Sequence, residues 1–215
     1  MHIQVIDHPI LRQKMSLMRD IKTRPPLFRQ LVREISALLA YEAAKEIAFN
    51  EIELETPMGK TTGLAISKPY PLVVPILRAG LGMLEGVLDV VPVAEVGFLG
   101  IARNEETLMP VTYANRLPDS LAGRHVILID PMLATGGTLN DSIDYVKSRG
   151  AQKVTCICML GAPEGIEKVQ QHITKNWDPE DFSIYLGALD EKLNEVGYIV
   201  PGLGDAGDRM YGLAK

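Results

Sequence analysis

The sequence predicts an α/β fold: a mostly parallel central sheet flanked by helices, within one domain over residues 1–215. Three observations lead there. Short apolar runs alternate with stretches of helical spacing along most of the chain. Glycine-rich turns follow two of those runs, after Leu77 and after Asp130. Hydrophobic residues make up 47% of a 215-residue chain, enough for a sizeable core and too many for a disordered one.

After a short extended start, Thr23 to Ile47 reads as one helix. Pro25 and Pro26 suit its first turn, where the missing N–H costs little, and Leu27, Leu31, Ile35, Leu38 and Leu39 recur at helical spacing. Ile52 to Thr56 and Thr61 to Ser67 flank Pro57-Met58-Gly59-Lys60, which predicts a β-hairpin arm. Its Ile52, Leu54, Leu64 and Ile66 suit either a subunit contact or a cover for the chain's own core. Leu72 to Leu77 reads as a buried strand, followed by a turn and a helix through Leu81, Leu84 and Leu88. Val93 to Ile101, His125 to Asp130, Val154 to Leu160 and Phe182 to Leu186 are further strands, with helices after the second and, from about Pro163, after the third. No repeat, low-complexity block or linker divides the chain. In such sheets ligands bind at the carboxyl ends of the strands, where both glycine turns fall.

Lysine and arginine total 22 against 27 aspartates and glutamates, a net charge of −5, which argues against a general nucleic-acid binder. Cys156 and Cys158 are the two cysteines; with no second Cys or His pair beside them they read as buried strand residues in a reducing compartment. The N-terminus lacks a signal pattern, and no apolar run is long enough to cross a bilayer. A soluble cytoplasmic protein is expected.

The strongest chemical signal runs from Val126 to Thr138. A buried strand delivers Asp130; Pro131, Met132, Leu133, Ala134, Thr135, Gly136, Gly137 and Thr138 follow, then a helix marked by Leu139, Ile143 and Val146. Glycines let backbone N–H groups converge on an anion, the threonines add hydroxyl donors, and the helix start adds partial positive charge. This predicts a phosphate cradle. It has neither the Walker Gly-Lys-Ser/Thr nor Gly-x-Gly-x-x-Gly. Arg78, in Leu77-Arg78-Ala79-Gly80, offers a cation beside exposed amides and suits a diphosphate. Tyr198 to Arg209 is rich in glycine and reads as a loop that offers backbone donors and acceptors to a flat ligand.

The 126–138 segment resembles the phosphoribosyl-pyrophosphate (PRPP) loop of type I phosphoribosyltransferases. Its Asp-Pro-Met-Leu-Ala-Thr-Gly-Gly form is most similar to the uracil phosphoribosyltransferase family, in which Pro131 replaces the second acid of other members. The likeness extends from His8 to Lys215. It departs at Thr138, where serine is common, and in the tail from Tyr211 to Lys215. The resemblance implies a type I phosphoribosyltransferase sheet with a hairpin arm and a C-terminal hood over the base. It implies transfer of phosphoribose from PRPP to uracil, giving UMP and diphosphate. PRPP would be held by Arg78, Arg103, Asp205 and the loop from Asp130 to Thr138, Asp130 holding the ribose hydroxyls. Uracil would face Ile199, Gly204, Asp205 and Ala206, whose backbone can answer its acceptor–donor–acceptor edge. A site that hydrogen-bonds such an edge can reject cytosine by about four orders of magnitude. Arg103 to Tyr113, Leu117 and Pro118 resembles a mobile flap. Mg²⁺ is expected to travel with PRPP, with no direct protein ligand. Asp205 is the one candidate base for N1–H. The family implies a homo-oligomer, and some members respond to GTP. Alternatives are a nucleotide-sensing RNA-binding regulator on the same fold and a transferase for a purine base.

Overall fold

The computed structural model describes residues 1–103 and 110–212. The chain runs through β1 (His2–Val5), α1 (Pro9–Arg19), α2 (Pro25–Ala43), β2 (Phe49–Thr56), β3 (Gly59–Ile66), β4 (Leu72–Pro75), α3 (Leu84–Val90), β5 (Glu95–Val96), β6 (Phe98–Arg103) and β7 (Pro110–Arg116). It continues through β8 (His125–Ile129), β9 (Met132–Leu133), α4 (Gly137–Ser148), β10 (Lys153–Gly161), α5 (Pro163–Asn176), β11 (Phe182–Leu189), β12 (Lys192–Leu193), β13 (Ile199–Val200) and α6 (Ala206–Tyr211). The central sheet has the order β1-β11-β10-β8-β4-β5, with β9 added beside the end of β10, and every pairing in it is parallel.

Alternation along the strands splits the core in two. Val73, Ile127, Ile129, Ile157, Met159 and Tyr185 face α1, α2, α3 and α6. Leu72, Val74, Val126, Leu128, Cys156 and Ile184 face α4 and α5. Both faces being covered explains why these strands read as unbroken apolar runs. The two thiols lie buried, where desolvation raises their pKa well above the usual range and leaves them inert.

Five local expectations change. The extended start is a strand followed by α1, whose Leu11, Met15 and Met18 are buried at helical spacing. His8 caps that helix by accepting the Ile10 N–H. The helix expected over Thr23 to Ile47 ends at Ala43 in a short 3₁₀ turn, Ala44–Glu46. Val93 to Ile101 is two strands, because the chain turns at Gly97 and leaves the sheet; a Cβ there would lie 2.4 Å from the Leu117 side chain. The described end of the expected flap, Pro110–Arg116, is β7, paired antiparallel with β6; the rest of that reading, residues 104–109, lies outside the described residues. The C-terminal loop ends in α6, so Gly207, Asp208 and Arg209 are helical.

The arm β2–β3 pairs in register from Phe49↔Ile66 to Thr56↔Gly59 and stands exposed along both strands, with Ile66 alone of its four singled-out residues packed against the core. Ile52 and Leu54 share one face with the small partners Gly63 and Thr61, whereas Leu64 falls opposite Glu51 on the other face.

Candidate active site

Strand β8 carries Asp130 to the carboxyl edge of the sheet, where its N–H donates to the Ile157 carbonyl at 3.2 Å. Its carboxylate accepts the Met132 N–H, an Asx-type turn that reverses the chain. Partial burial raises its pKa from 3.8 to about 6, desolvation outweighing that hydrogen bond. The Pro131 carbonyl accepts from both Met159 and Leu160, and β9 then rejoins the sheet beside β10. This stitching makes the loop a rigid shelf. Gly136 stands at φ 74°, and a Cβ on it would lie 2.8 Å from the Gly165 carbonyl. α4 starts at Gly137 with no side-chain cap, so its first N–H groups have no partner within the helix. Asp130, Met132, Leu133, Ala134, Thr135, Gly136, Gly137 and Thr138 line a cavity of about 80 Å³, suited to one phosphate-sized group.

A second cavity, of about 230 Å³, is lined by Met132, Ala134, Gly197, Tyr198, Ile199, Gly204, Asp205 and Ala206. Met132 and Ala134 therefore form a wall common to both. Ile199, Gly204, Asp205 and Ala206 thus stand together as the sequence groups them. Asp205 is also the N-cap of α6, accepting the Asp208 N–H at 2.8 Å, an occupation that sequence reasoning did not assign to it.

Arg78 is exposed on the loop after β4, which hugs the end of β8. Ile76 N–H donates to the Ile129 carbonyl, and a Cβ on Gly80 would lie 2.4 Å from the same oxygen. Arg78 lines neither cavity, and Pro131 acts through its carbonyl rather than the cavity wall. Arg103 closes β6 by its backbone, and Asn104 to Met109 lie outside the described residues.

A family model for uracil phosphoribosyltransferase matches residues 5–213. The chain belongs to the uracil phosphoribosyltransferase family. Proteins of that name from Paenarthrobacter aurescens and Cutibacterium acnes are 56% and 52% identical to it, each over the full length of both chains. The solved structure of a protein from Aquifex aeolicus is 41% identical, superposes with a TM-score of 0.87, and shares 98% of each chain. A hypoxanthine-guanine phosphoribosyltransferase of Bacillus anthracis shares the fold at 12% identity and a TM-score of 0.51, over 77% of this chain and 80% of that one.

Several residues of this family member frame the site beyond those assigned above to PRPP or uracil. Gly165, in the first turn of α5, is pressed so close to the phosphate shelf that a Cβ would lie 2.2 Å from the Ala134 carbonyl. Its signal was only a glycine four residues after a strand. Tyr113 donates its hydroxyl to the Leu77 carbonyl at 3.1 Å, and its ring covers Gly100, linking the β6–β7 ribbon to the Arg78 loop. Gly197 and Tyr198 wall the second cavity, just upstream of the residues singled out.

Proposed function

We propose that the chain transfers the 5-phosphoribosyl group of PRPP to N1 of uracil, releasing diphosphate and forming UMP. The observation that carries this reading is the pair of adjoining cavities divided by Met132 and Ala134. One is a glycine-walled cradle with Asp130 in its lining; the other is lined by two glycines, two alanines, Met132, Tyr198, Ile199 and Asp205. A 5′-phosphate in the first and a flat base in the second place the sugar between them, beside Asp130. Asp130 accepts the ribose hydroxyls, which replace lost hydration and favour its ionised form. Thr135, Thr138 and the free amides of α4 take the phosphate. Arg78, exposed on the loop after β4, meets the diphosphate. Bond making at N1 and bond breaking at the diphosphate oxygen then proceed in line, and most of the help is positional.

Among the described residues no group of three His, Cys, Asp or Glu side chains could form a metal cage. Mg²⁺ would then enter with the donor substrate, whose oxygens and water would supply its ligands. When bound it offsets negative charge on the departing diphosphate. With Asp205 committed to its helix, N1–H is best lost to solvent or to the departing group. No observation favours an RNA-binding regulator, and no helix among the described residues is long and apolar enough to cross a membrane.

The deciding experiment is turnover with PRPP, Mg²⁺ and each nucleobase in turn. UMP from uracil, with cytosine and purines rejected, is expected. Equal or better use of a purine, or no UMP, would overturn the reading.

A further inference from the structure

Between the two halves of the base cavity, Ile199 and Gly204, the chain makes a tight turn that lines no part of that cavity. Gly202 sits in it at φ 64°, where a Cβ would lie 2.1 Å from the Ile199 carbonyl. Both polar groups of Gly202 are held by one ion pair. Its N–H donates to Asp190 Oδ2 at 2.8 Å, and its carbonyl accepts from Arg19 Nη1 at 2.9 Å. Arg19 in turn grips Asp190 with both guanidinium arms. The Asp190 side chain is only 6% exposed, so water competes poorly for these bonds. Asp190 is fixed by its own N–H to the Gly161 carbonyl at the end of β10. Arg19 is the last residue of α1. A rigid strand end and a helix end thus meet on one peptide of the turn.

We propose that Arg19 and Asp190 are positioning residues for base selection, setting the backbone that reads the base without touching it. This rests on the uracil reading given above. Backbone recognition depends on amide placement within a few tenths of an ångström, because hydrogen bonds weaken quickly with angle and distance. A planar fork is needed here, since one guanidinium must serve a carboxylate and a carbonyl together. Lysine, a compact charge on a flexible stem, lacks the rigid fork that fixes both acceptors in one plane.

The test uses Asp190→Asn and Arg19→Lys in the full chain. Each should raise the uracil KM by about tenfold, as expected for loss of a charge-assisted hydrogen bond. The PRPP KM should move by less than about twofold, and cytosine discrimination should fall. Amide hydrogen exchange should speed up over residues 199–206 and stay unchanged over 130–138. Equal rises in both KM values, unchanged kinetics, or unchanged exchange in the turn would overturn the proposal. Should wild type make no UMP, the uracil reading fails, and the exchange pattern alone judges the clamp. Should Asp190→Asn fail to fold, Arg19→Lys, which keeps both charges, carries the same comparison.

Discussion

At the scale of single residues, Asp130 joins function to a cost in stability. Its folded pKa of about 6 lies above the free value of 3.8. The fold therefore binds an extra proton between those values, and stability is lost as pH rises through that window. Asp130→Asn should remove this loss and raise stability at pH 8 by up to about 3 kcal/mol. The same change should cost about 1.5–3 kcal/mol of donor binding or turnover. Thermal unfolding and donor kinetics on one preparation check both; a variant no more stable than wild type at pH 8 would contradict the first half. Ala206 offers a second residue-scale test. It is the first residue of α6, a position that tolerates proline, so Ala206→Pro deletes one amide donor without breaking the helix. Uracil use should fall by about tenfold with little change in donor affinity, whereas Ile199→Ala should weaken uracil modestly and still exclude cytosine. Efficient cytosine turnover by Ile199→Ala would assign selectivity to side chains.

Secondary-structure elements contribute through how closely they approach. α5 reaches the phosphate shelf because Gly165 has no side chain, with 2.2 Å between a would-be Cβ and the Ala134 carbonyl. Gly165→Ala must push the shelf or the helix aside, at about 1–3 kcal/mol. Donor KM should rise while the far end of the sheet keeps its hydrogen-exchange protection; an unchanged donor KM would mean that the shelf yields freely. The β2–β3 arm is the other element whose role lies in its exposure. Ile52 is 41% and Leu54 38% exposed on one face, so the arm leaves them uncovered by its own chain. We propose this face as a contact between copies. Replacing Ile52 and Leu54 with lysine should lower the sedimentation coefficient if the arm holds the assembly, and an unchanged value would dismiss that contact.

Over the whole molecule, two partly buried groups at opposite ends of β8 oppose each other in acid. His125 opens β8, donating to or accepting from Thr155 Oγ1 at 2.8 Å, and burial, aided by Lys153, lowers its pKa from 6.5 to about 4. Unfolded chains take up that proton first, so stability is lost as pH falls from about 6.5 to about 4. Asp130 pushes the other way between about 6 and 3.8. Wild type should therefore show a shallow profile where the windows overlap. His125→Gln should leave the Asp130 slope alone, with stability rising as pH falls toward 4. Asp130→Asn should expose the reverse slope. Denaturant midpoints between pH 4 and 7 read both directly, and parallel profiles in the two variants would refute this assignment.

The runs of β4, β8, β10 and β11, the helix after the phosphate loop and the grouping of Asp130 to Thr138 were legible in the chain, because those signals are local: apolar runs, helical spacing and glycine at a strand end. α1 escapes the sequence reading, which has only a short extended start before Thr23, although Leu11, Met15 and Met18 stand at helical spacing. Tertiary structure alone decided the rest. Val93 to Ile101 is apolar but for Glu95, and only packing at Gly97 shows that its second half leaves the sheet. Asp205 reads as an acid near a base, and only the start of α6 makes it a cap. Arg19, Asp190 and Gly202 lie up to 183 positions apart and carry no shared motif. Their meeting depends on parallel strands bringing distant carboxyl ends to one edge, and sequence spacing holds no record of that.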